Sequence, residues 1–381
     1  MPAMEIPWVI DEHTIIKHEL LKKYIDPWMA IFFAVQKRNS LPQKVVYFDG
    51  FCGPGIYYTD HSKTQKCCGS PLIVAEVANK YIAEDRSRSV IMHCIDKTSE
   101  CVELLNSNLV RLNQYGQKWV VHHSEFEDKV REVLDEFDQG DLHCQPMFFF
   151  IDPFGYSGFP MSTLERIMRY PRAELFINFM VYDIVRFVEE EQFEENMLAL
   201  FGSDEFKRVA ECSYPEQKYA FFVNLYSNCL KRVGAEFVMP FRINTPNCGT
   251  RPRYFLIHAS KNKRALEVMK DEMAKLSASP YRFEAVGLIT GQMSLFEDPD
   301  KGTLRERIFD YIVSAKHGAL DFEPLLDWAY ANTNGVSKTI KETLIDLEQN
   351  QRSIVIERLP GQRRSTVTKG AKIRVNRSSN Q

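Results

Sequence analysis

The sequence predicts a doubly wound α/β sheet with an N-terminal helical extension, followed by a small winged-helix domain. Three observations predict this fold class: strand-like and helix-like segments alternate, a glycine-rich turn follows the first strand, and a basic hairpin comes last. Strands that alternate with helices form parallel βαβ units. We expect a helical extension at 1–43, a Rossmann-like domain at 44–278, a linker at 279–302 and a winged-helix domain at 303–381.

The N-terminal extension has apolar residues at helical spacing, including Ile16, Leu20 and Tyr24. Because proline is favoured in the first turn of a helix, Pro27 predicts the start of a second helix at Trp28.

Five β-rich segments, each bounded by turn or polar residues, predict the parallel strands. They lie at 44–50, 89–96, 118–123, 146–152 and 174–180, and an antiparallel hairpin is expected from 236–244 and 253–260. Towards the end of the chain, TLRERIFDYIVSAK, FEPLLDWAYA and SKTIKETLIDLEQN predict three helices, and IVIERLP and AKIRV predict two strands around a basic loop. Three helices followed by a hairpin are typical of a winged helix, a helix-turn-helix variant.

The charge of the chain is unevenly distributed. The 381 residues carry 48 Lys+Arg and 51 Asp+Glu, a net charge of −3, but residues 301–381 have 14 basic and 9 acidic residues. The terminal module is therefore at +5 and the body at −8, which indicates a polyanionic partner for the module. We expect nucleic acid, RNA or DNA, to bind through phosphate contacts at the following residues: Arg352, Arg363, Arg364, Lys369 and Lys372. The alternative is a winged helix that contacts protein.

The composition also limits the cellular setting. No apolar run approaches the roughly 20 residues of a membrane-spanning helix, and no basic segment followed by an apolar stretch opens the chain. The nine cysteines include no CxxC pair, which disfavours a zinc site or disulfides. We therefore expect a cytoplasmic protein without a membrane or metal partner.

The glycine-rich turn is the strongest local signal for a ligand. It follows the first strand, where open α/β sheets bind their ligands, and glycines allow the backbone to approach closely. Its acid followed by G-x-x-G-x-G differs from the dinucleotide pattern and suits a nucleoside that carries an amino-acid tail; a plain glycine turn is the alternative. The candidate binding residues are Asp49, Gly50, Phe51, Gly53 and Gly55.

Polar residues also end the second and third strands. Asp96 is placed to accept hydrogen bonds from ribose hydroxyls, the role of an acid at this position in nucleotide-binding folds. Ser124 and Glu125 can bind an adenine amino group. The alternatives are a solvated aspartate at a strand end and an N-cap for the following helix.

The fourth strand ends in a stiff turn that contains Asp152, Pro153, Phe154 and Tyr156. A carboxylate oxygen and backbone carbonyls there can accept hydrogen bonds from an exocyclic –NH₂, and an aromatic side chain can stack on an extruded base. Asn178 is polar within the apolar run LFINFM and needs hydrogen-bond partners, either structural or at the site.

These motifs together resemble the class I S-adenosylmethionine-dependent methyltransferases. KHELLKKYIDPW, VYFDGFCGPGIY, GSPLIVAEVA, FFFIDPFGYSGFP, LFINFM and GQMSLF are similar to the three-Cys-motif partner proteins, known as TcmP. The resemblance covers about 1–300 and implies S-adenosylmethionine as cofactor. It also implies a radical-SAM-like three-Cys-motif protein as partner, because members of the family are encoded beside one.

YFDGFCGPGIY is also similar to the ribosomal-RNA adenine-N6 methyltransferases, which carry Asp-Pro-Pro-Tyr at the fourth strand. Here Phe154 replaces the second proline, which puts adenine as the target in doubt more than it affects cofactor binding. The expected function is methyl transfer to an amino group of a nucleic-acid base, with Asp152 and the Pro153 carbonyl holding the amine. The alternative is a non-catalytic, cofactor- or nucleic-acid-binding partner subunit of the three-Cys-motif protein.

Overall fold

The computed structural model describes residues 6–113, 115–140, 145–244, 252–276, 281–283, 301–315, 319–333 and 335–376. The chain divides into two compact units, Met1–Arg282 and Phe283–Gln381. Most of the predicted linker at 279–302, and the GQMSLF motif within it, lie outside the described residues.

The first unit is built on an eight-stranded mixed sheet with a separate two-stranded ribbon. Its strands are β1 (Lys44–Asp49), β2 (Ile56–Tyr58), β3 (Lys66–Cys68), β4 (Ser89–Asp96), β5 (Lys118–His123), β6 (Met147–Ile151), β7 (Ala173–Phe179), β8 (Phe237–Asn244), β9 (Pro252–Ser260) and β10 (Tyr281–Phe283). The order in the main sheet is β10-β8-β9-β7-β6-β1-β4-β5, and β2 pairs with β3. All five predicted parallel strands are confirmed, as is the antiparallel pair β8 and β9.

Helices alternate with the strands of this sheet along the chain, as the pattern predicts. They are α1 (Glu12–Arg38), α2 (Ser70–Glu84), α3 (Ser99–Leu112), α4 (Phe126–Gln139), α5 (Met161–Met168), α6 (Val181–Phe187), α7 (Glu194–Phe201), α8 (Pro215–Arg232) and α9 (Lys263–Leu276), with 3₁₀ turns at Glu191–Phe193 and Asp204–Glu211. Every residue of β6 and β7 is buried, and all of them except Glu174 and Asn178 are apolar, as is typical of strands covered on both faces. The α/β, Rossmann-like mixed sheet with an N-terminal helix is therefore confirmed.

The prediction of two N-terminal helices was wrong, because α1 is one helix with Pro27 inside it. A proline within a helix removes one backbone hydrogen bond and tends to break the helix. Here the turns on either side of Pro27 are attached to one buried carboxylate: the Tyr24 hydroxyl and the Trp28 indole both donate to Glu174 of β7. This tertiary anchoring keeps the helix continuous across the proline.

The strand order reverses between β1 and β6. From β1 the sheet continues through β4 and β5 in one direction, and from β6 through β7 in the other. In open α/β sheets ligands bind beyond the carboxyl ends of the strands at such a switch point. Strand β1, which ends at Asp49, and strand β6, which is followed by Asp152, lie on either side of this switch point.

The second unit contains three helices and a small antiparallel sheet. Its elements are α10 (Lys301–Val313), β11 (Leu320–Asp321), α11 (Phe322–Asn332), α12 (Ser337–Gln349), β12 (Ile354–Glu357) and β13 (Lys372–Val375), with the sheet order β11-β13-β12. Ile308, Leu325, Ile340, Leu344 and Ile373 are each fully buried and form its core. The sequence predicted all of these elements except the short β11. Among the described residues, no helix is long and apolar enough to cross a membrane.

Candidate functional site

The glycine loop, residues 50–55, is folded tightly against the ends of β1 and β6. The amide of Gly50 donates to the carbonyl of Phe150 at 2.8 Å, and a Cβ on Gly50 would lie 2.6 Å from the ring of Phe126. Gly53 has a φ of +58°, a left-handed conformation that disfavours side chains. Glycine is therefore required at both positions by backbone geometry and close packing.

Asp96 holds this loop through backbone amides. Its Oδ2 accepts from the amide of Gly53 at 2.9 Å, and its Oδ1 accepts from the amide of Thr98 at 2.8 Å. The carboxylate thus joins the glycine loop to the segment that begins α3. Asp96 also lines the larger of the two cavities described below, and its carboxylate can accept more than these two hydrogen bonds. The ribose role that the sequence predicted stays a prediction.

Asp49 lies beneath the loop and is completely buried. The hydroxyl of Tyr47 donates to its Oδ2 at 2.8 Å, and the Ser70 side chain also hydrogen-bonds to it. Burial, reinforced by the charges of Asp152 and Asp96, raises the pKa of Asp49 to about 7. The carboxyl is therefore partly protonated at neutral pH, and it belongs to the interior of the loop and not to the wall of either cavity.

A cavity of about 700 Å³ opens beside the glycine loop, beyond the end of β4. Its walls are Ile6, Trp8, Asp96, Thr98, Glu100, Cys101, Leu104 and Phe154. This volume is within the range of about 300–1,000 Å³ that is typical of small-molecule sites.

Of the eight residues of the predicted cofactor set, Asp96 lines this cavity and the other seven do not. The amide of Ser124 donates to the carbonyl of Asp96 at 3.1 Å, so Ser124 lies next to a residue that lines the cavity. Glu125 is exposed at the start of α4, with Oε1 3.8 Å from Lys97 Nζ. Phe51 stacks on Phe126, with ring centroids 5.6 Å apart, and lines the second cavity.

The second cavity, of about 110 Å³, lies at the carboxyl ends of β6 and β7 and is roofed by α1. It is lined by Trp8, Asp11, Thr14, Lys17, His18, Phe51, Tyr57, Ser70, Asp152, Pro153, Phe154, Asn178, Met180, Arg253 and Tyr254. Trp8 and Phe154 belong to the walls of both cavities, so the two cavities are neighbours.

An ion pair occupies the polar end of the second cavity. Lys17 Nζ lies 2.8 Å from each carboxylate oxygen of Asp152, and Asn178 Nδ2 donates to Asp152 Oδ1 at 2.6 Å. The sequence predicted that Asp152 would hold an acceptor amine. In the structure, that carboxylate is already engaged by an ammonium group and an amide, both from this chain.

The aromatic residues of the predicted acceptor turn separate into two groups. Phe154 is 77% exposed at the mouth of the cavities, with its ring centroid 5.7 Å from that of Trp8. Pro153 lines the second cavity. Tyr156 instead packs in the core against Phe187 and Phe193, and it is not placed to stack on a ligand in either cavity.

Sequence reasoning gave no role in the site to Trp8 or Arg253. It took Lys17 and His18 by default as surface residues of the first helix, with a helix that caps the pocket as the alternative. One signal was present: Lys17, Tyr24 and Trp28 are seven and four residues apart, and so lie on one face of α1. All three contact carboxylates of the sheet, Asp152 and Glu174. A row of polar side chains on an otherwise apolar helix face can therefore indicate that the helix covers a site.

In the second unit, a partly buried ion pair organises the basic loop, residues 358–371, between β12 and β13. The guanidinium of Arg358 donates to both carboxylate oxygens of Glu348, at 2.7 and 2.5 Å. It also donates to the carbonyls of Thr366 and Arg364, at 2.9 and 2.7 Å. Arg358 therefore fixes the shape of the loop and is not available for a ligand.

The other basic side chains of this region are exposed. No carboxylate lies within ion-pair distance of Arg363, Arg364, Lys369 or Lys372 in the described part of the chain. Arg352 is also exposed and precedes β12. The structure thus brings the predicted phosphate-binding residues to one hairpin and its loop.

Comparison with known proteins gives distant structural matches. No family model and no curated protein sequence matches the chain. A Legionella pneumophila protein of the DUF519 family is 10% identical over 68% of this chain and 91% of its own, with a TM-score of 0.41. A putative class I S-adenosylmethionine-dependent methyltransferase from Listeria monocytogenes is 13% identical over 69% of this chain and 64% of its own, with a TM-score of 0.29. A similarly described protein from Methanococcus maripaludis has a TM-score of 0.26, at 13% identity over 66% of this chain and 92% of its own.

The chain is thus distantly similar in structure to S-adenosylmethionine-dependent methyltransferases. All three TM-scores are below 0.5, so the description of the fold rests on the strand order and register of this chain and not on these matches. The resemblance to TcmP proteins stays a prediction.

Proposed function

We propose that this protein is an S-adenosylmethionine-dependent methyltransferase that acts on an amino group of a nucleic-acid base. The supporting observation is the pair of adjoining cavities at the switch point of the sheet, which share Trp8 and Phe154. The larger cavity would hold the cofactor beside Asp96 and the glycine loop. The smaller one would hold the acceptor, so that donor and acceptor meet near the two shared aromatic residues.

The cofactor supplies an activated methyl group, and the protein's task is to orient the acceptor for in-line transfer. Phe154, exposed beside Trp8, is placed to stack on a flat ring that enters the smaller cavity. Asp152 and Lys17 form a fixed polar end to that cavity. An acceptor –NH₂ nitrogen that received this methyl group would give up one proton, and the protein would have to provide a base or solvent to take it.

In the same proposal the second unit is a winged helix that binds phosphates through the basic loop and the adjoining β13. Helix α12 suits this role less well, because it carries Lys338 and Lys341 against Glu342, Asp346 and Glu348. Phosphate contacts position a substrate without reading its sequence, so the choice of acceptor would depend on the smaller cavity.

A second candidate function is a non-catalytic subunit that binds cofactor or nucleic acid beside a radical-SAM-like three-Cys-motif protein. The observation that favours it is the closed Lys17–Asp152 pair, which occupies the carboxylate expected to hold the acceptor. Cofactor binding without methyl transfer, unless the partner is added, would support this candidate.

Titration calorimetry with S-adenosylmethionine tests the cofactor site. We expect micromolar binding by the wild type and at least about tenfold weaker binding by Asp96→Asn, since one bond lost from a charged group is worth about 1.5–3 kcal/mol. Asp85→Asn is the matched control, because Asp85 lines neither cavity but also accepts from a backbone amide, that of Ser87 at 3.0 Å.

Transfer of a tritiated methyl group to RNA, DNA and protein pools then tests the reaction. Label in RNA or DNA supports the proposal. Label in protein alone contradicts the substrate class, and an absence of cofactor binding contradicts the proposal as a whole.

A further inference from the structure

Both carboxylates in the wall of the smaller cavity are engaged within the protein. Asp152 accepts from Lys17 and Asn178. Asp11 caps α1, accepting from the amide of Thr14 at 2.7 Å, and its Oδ2 lies 3.8 Å from Arg253. A ligand that brings N–H groups into this cavity must therefore find other acceptors.

Asn178 provides one such acceptor. It is 2% exposed, and its Nδ2 donates to Asp152 Oδ1 and lies 3.5 Å from the sulfur of Met180. A carboxylate only accepts hydrogen bonds, so Asp152 fixes the amide orientation with Nδ2 towards itself. Asn178 Oδ1 is left buried and without a partner among the described residues. Such an atom costs about 1–3 kcal/mol, a cost that a ligand can remove.

His18 provides the second acceptor, from the roof of the same cavity. It is 6% exposed, its ring centroid lies 5.9 Å from that of Tyr57, and it makes no hydrogen bond with another described residue. Burial, and then the charge of Lys17, lower the pKa of His18 to about 4, although Asp152 and Asp11 act in the opposite direction. The imidazole is therefore neutral at physiological pH and keeps one nitrogen lone pair.

We infer that an acceptor –NH₂ group is received by Asn178 Oδ1 and a ring nitrogen of His18, one N–H to each, while Asp152 stays paired with Lys17. This inference rests on the proposed function and specifies its acceptor as a primary amine on a flat ring. The same imidazole is placed to take the proton that the nitrogen releases when the methyl carbon leaves sulfur and bonds to it. Asp152 and Lys17 are then positioning residues, which hold the Asn178 amide in its orientation.

The inference predicts discrimination between an amine and an oxygen at the same ring position. A site built to accept N–H groups rejects an analogue that lacks them, because its acceptors are left unpaired. Nucleoside binding can be followed by ligand-observed NMR, with and without S-adenosylhomocysteine. We expect at least about tenfold tighter binding of adenosine than of inosine, or of cytidine than of uridine, as the loss of one buried hydrogen bond implies.

Asn178→Leu should reduce this preference, because it removes one of the two acceptors, and Asn79→Leu is the matched control. Asn79 also has a buried Oδ1 without a partner, and its Nδ2 donates to the Leu112 carbonyl at 2.9 Å, but it lies on α2 outside the cavity. The control should therefore keep the preference. If Asn178→Leu fails to fold by circular dichroism, His18→Phe, which removes the second acceptor, must reduce the preference by itself.

Equal binding of both members of each pair by the wild type, or no binding of either, overturns the inference. A preference that is undiminished in a folded Asn178→Leu variant also overturns it. An amine preference without any methyl transfer would leave the inference standing and count against the proposed function, so the two can fail separately.

Discussion

The smaller cavity and the basic loop differ in the burial and pairing of their charged side chains. In the cavity, the side chains of Lys17 and Asp152 are 9% and 15% exposed and satisfy each other. On the basic loop, Arg363, Arg364 and Lys369 are exposed and have no acidic partner within the described residues. Buried, paired charges determine stability and geometry, whereas exposed, unpaired charges are available to a ligand. A substitution should therefore have different consequences in the two regions.

The largest effect is expected from Lys17→Met. Removing one partner of a buried pair leaves Asp152 uncompensated, which typically costs about 3–5 kcal/mol. We expect the free energy of unfolding of the first unit, measured by urea titration, to fall by about that amount. Lys17→Met with Asp152→Asn should recover part of the loss, because the uncompensated charge is then gone.

Lys80→Met is the matched control for this prediction. Lys80 also forms an ion pair with α1, its Nζ being 2.9 Å from Asp26 Oδ1, but the two side chains are 53% and 40% exposed. Exposed pairs contribute about 0–1 kcal/mol, so this variant should be nearly as stable as the wild type. Similar losses in both variants would show that burial does not distinguish the two pairs.

A smaller, pH-dependent effect is expected at Asp49. Its pKa is raised to about 7, so between its unfolded value of 3.8 and pH 7 the folded state keeps a proton that the unfolded state has lost. The stability from this group is complete below pH 3.8 and is lost as the pH rises through 7. Because one pKa unit corresponds to about 1.4 kcal/mol and pH 5 lies two units below the folded pKa, the wild type should lose about 3 kcal/mol relative to Asp49→Asn between pH 5 and pH 8.

Urea midpoints at the two pH values measure this difference. Asp60→Asn is the control, because hydrogen bonds from Ser62 and Thr64 hold the pKa of Asp60 at about 2, outside the tested range. A constant difference between the wild type and Asp49→Asn at both pH values would show that Asp49 does not titrate there.

These contrasts also explain what the sequence could predict. The five parallel strands and the position of the glycine loop followed from local patterns, since apolar runs ending in glycine or aspartate indicate buried strands and their tips. The pairing of Lys17 with Asp152 could not be predicted, because it joins residues 135 positions apart. An irregular turn has no regular side-chain period, so the sequence could not show whether Tyr156 faces the site or the core. It was expected at the site, but it packs in the core.

For Asp96 the residue type predicted an acceptor, but not its partners. The sequence suggested ribose hydroxyls, and the structure provides the amides of Gly53 and Thr98. The chemistry of a side chain was therefore predictable at this strand end, whereas burial and partner choice depended on the tertiary fold.

The smallest effect on stability is expected on the basic loop. Arg363→Ala with Arg364→Ala should change the free energy of unfolding by less than about 0.5 kcal/mol, as is usual for exposed side chains. Its effect should instead be on nucleic-acid binding. Each phosphate neutralised on duplex DNA contributes about 0.9 to the slope of log affinity against log salt, so the double variant should lower that slope by about 1.8.

Fluorescence anisotropy with a labelled DNA duplex and a labelled single-stranded RNA, over a range of salt concentrations, measures these slopes. Arg305→Ala is the matched control: it removes an exposed arginine of the same unit whose Nη1 lies 3.6 Å from Asp346 Oδ2, so its charge is already partly compensated. If this control lowers the slope as much per residue as the loop variant does, the net charge of the unit drives binding and the loop is no distinct site. If the wild type itself shows no salt-dependent binding, the second unit is better explained as a protein-contact domain. The slope of log affinity against log salt should therefore fall in the loop variant and not in the control. Only that result would show that the exposed, unpaired charges of the basic loop form the phosphate-binding surface, in contrast to the buried, paired charges of the cavity.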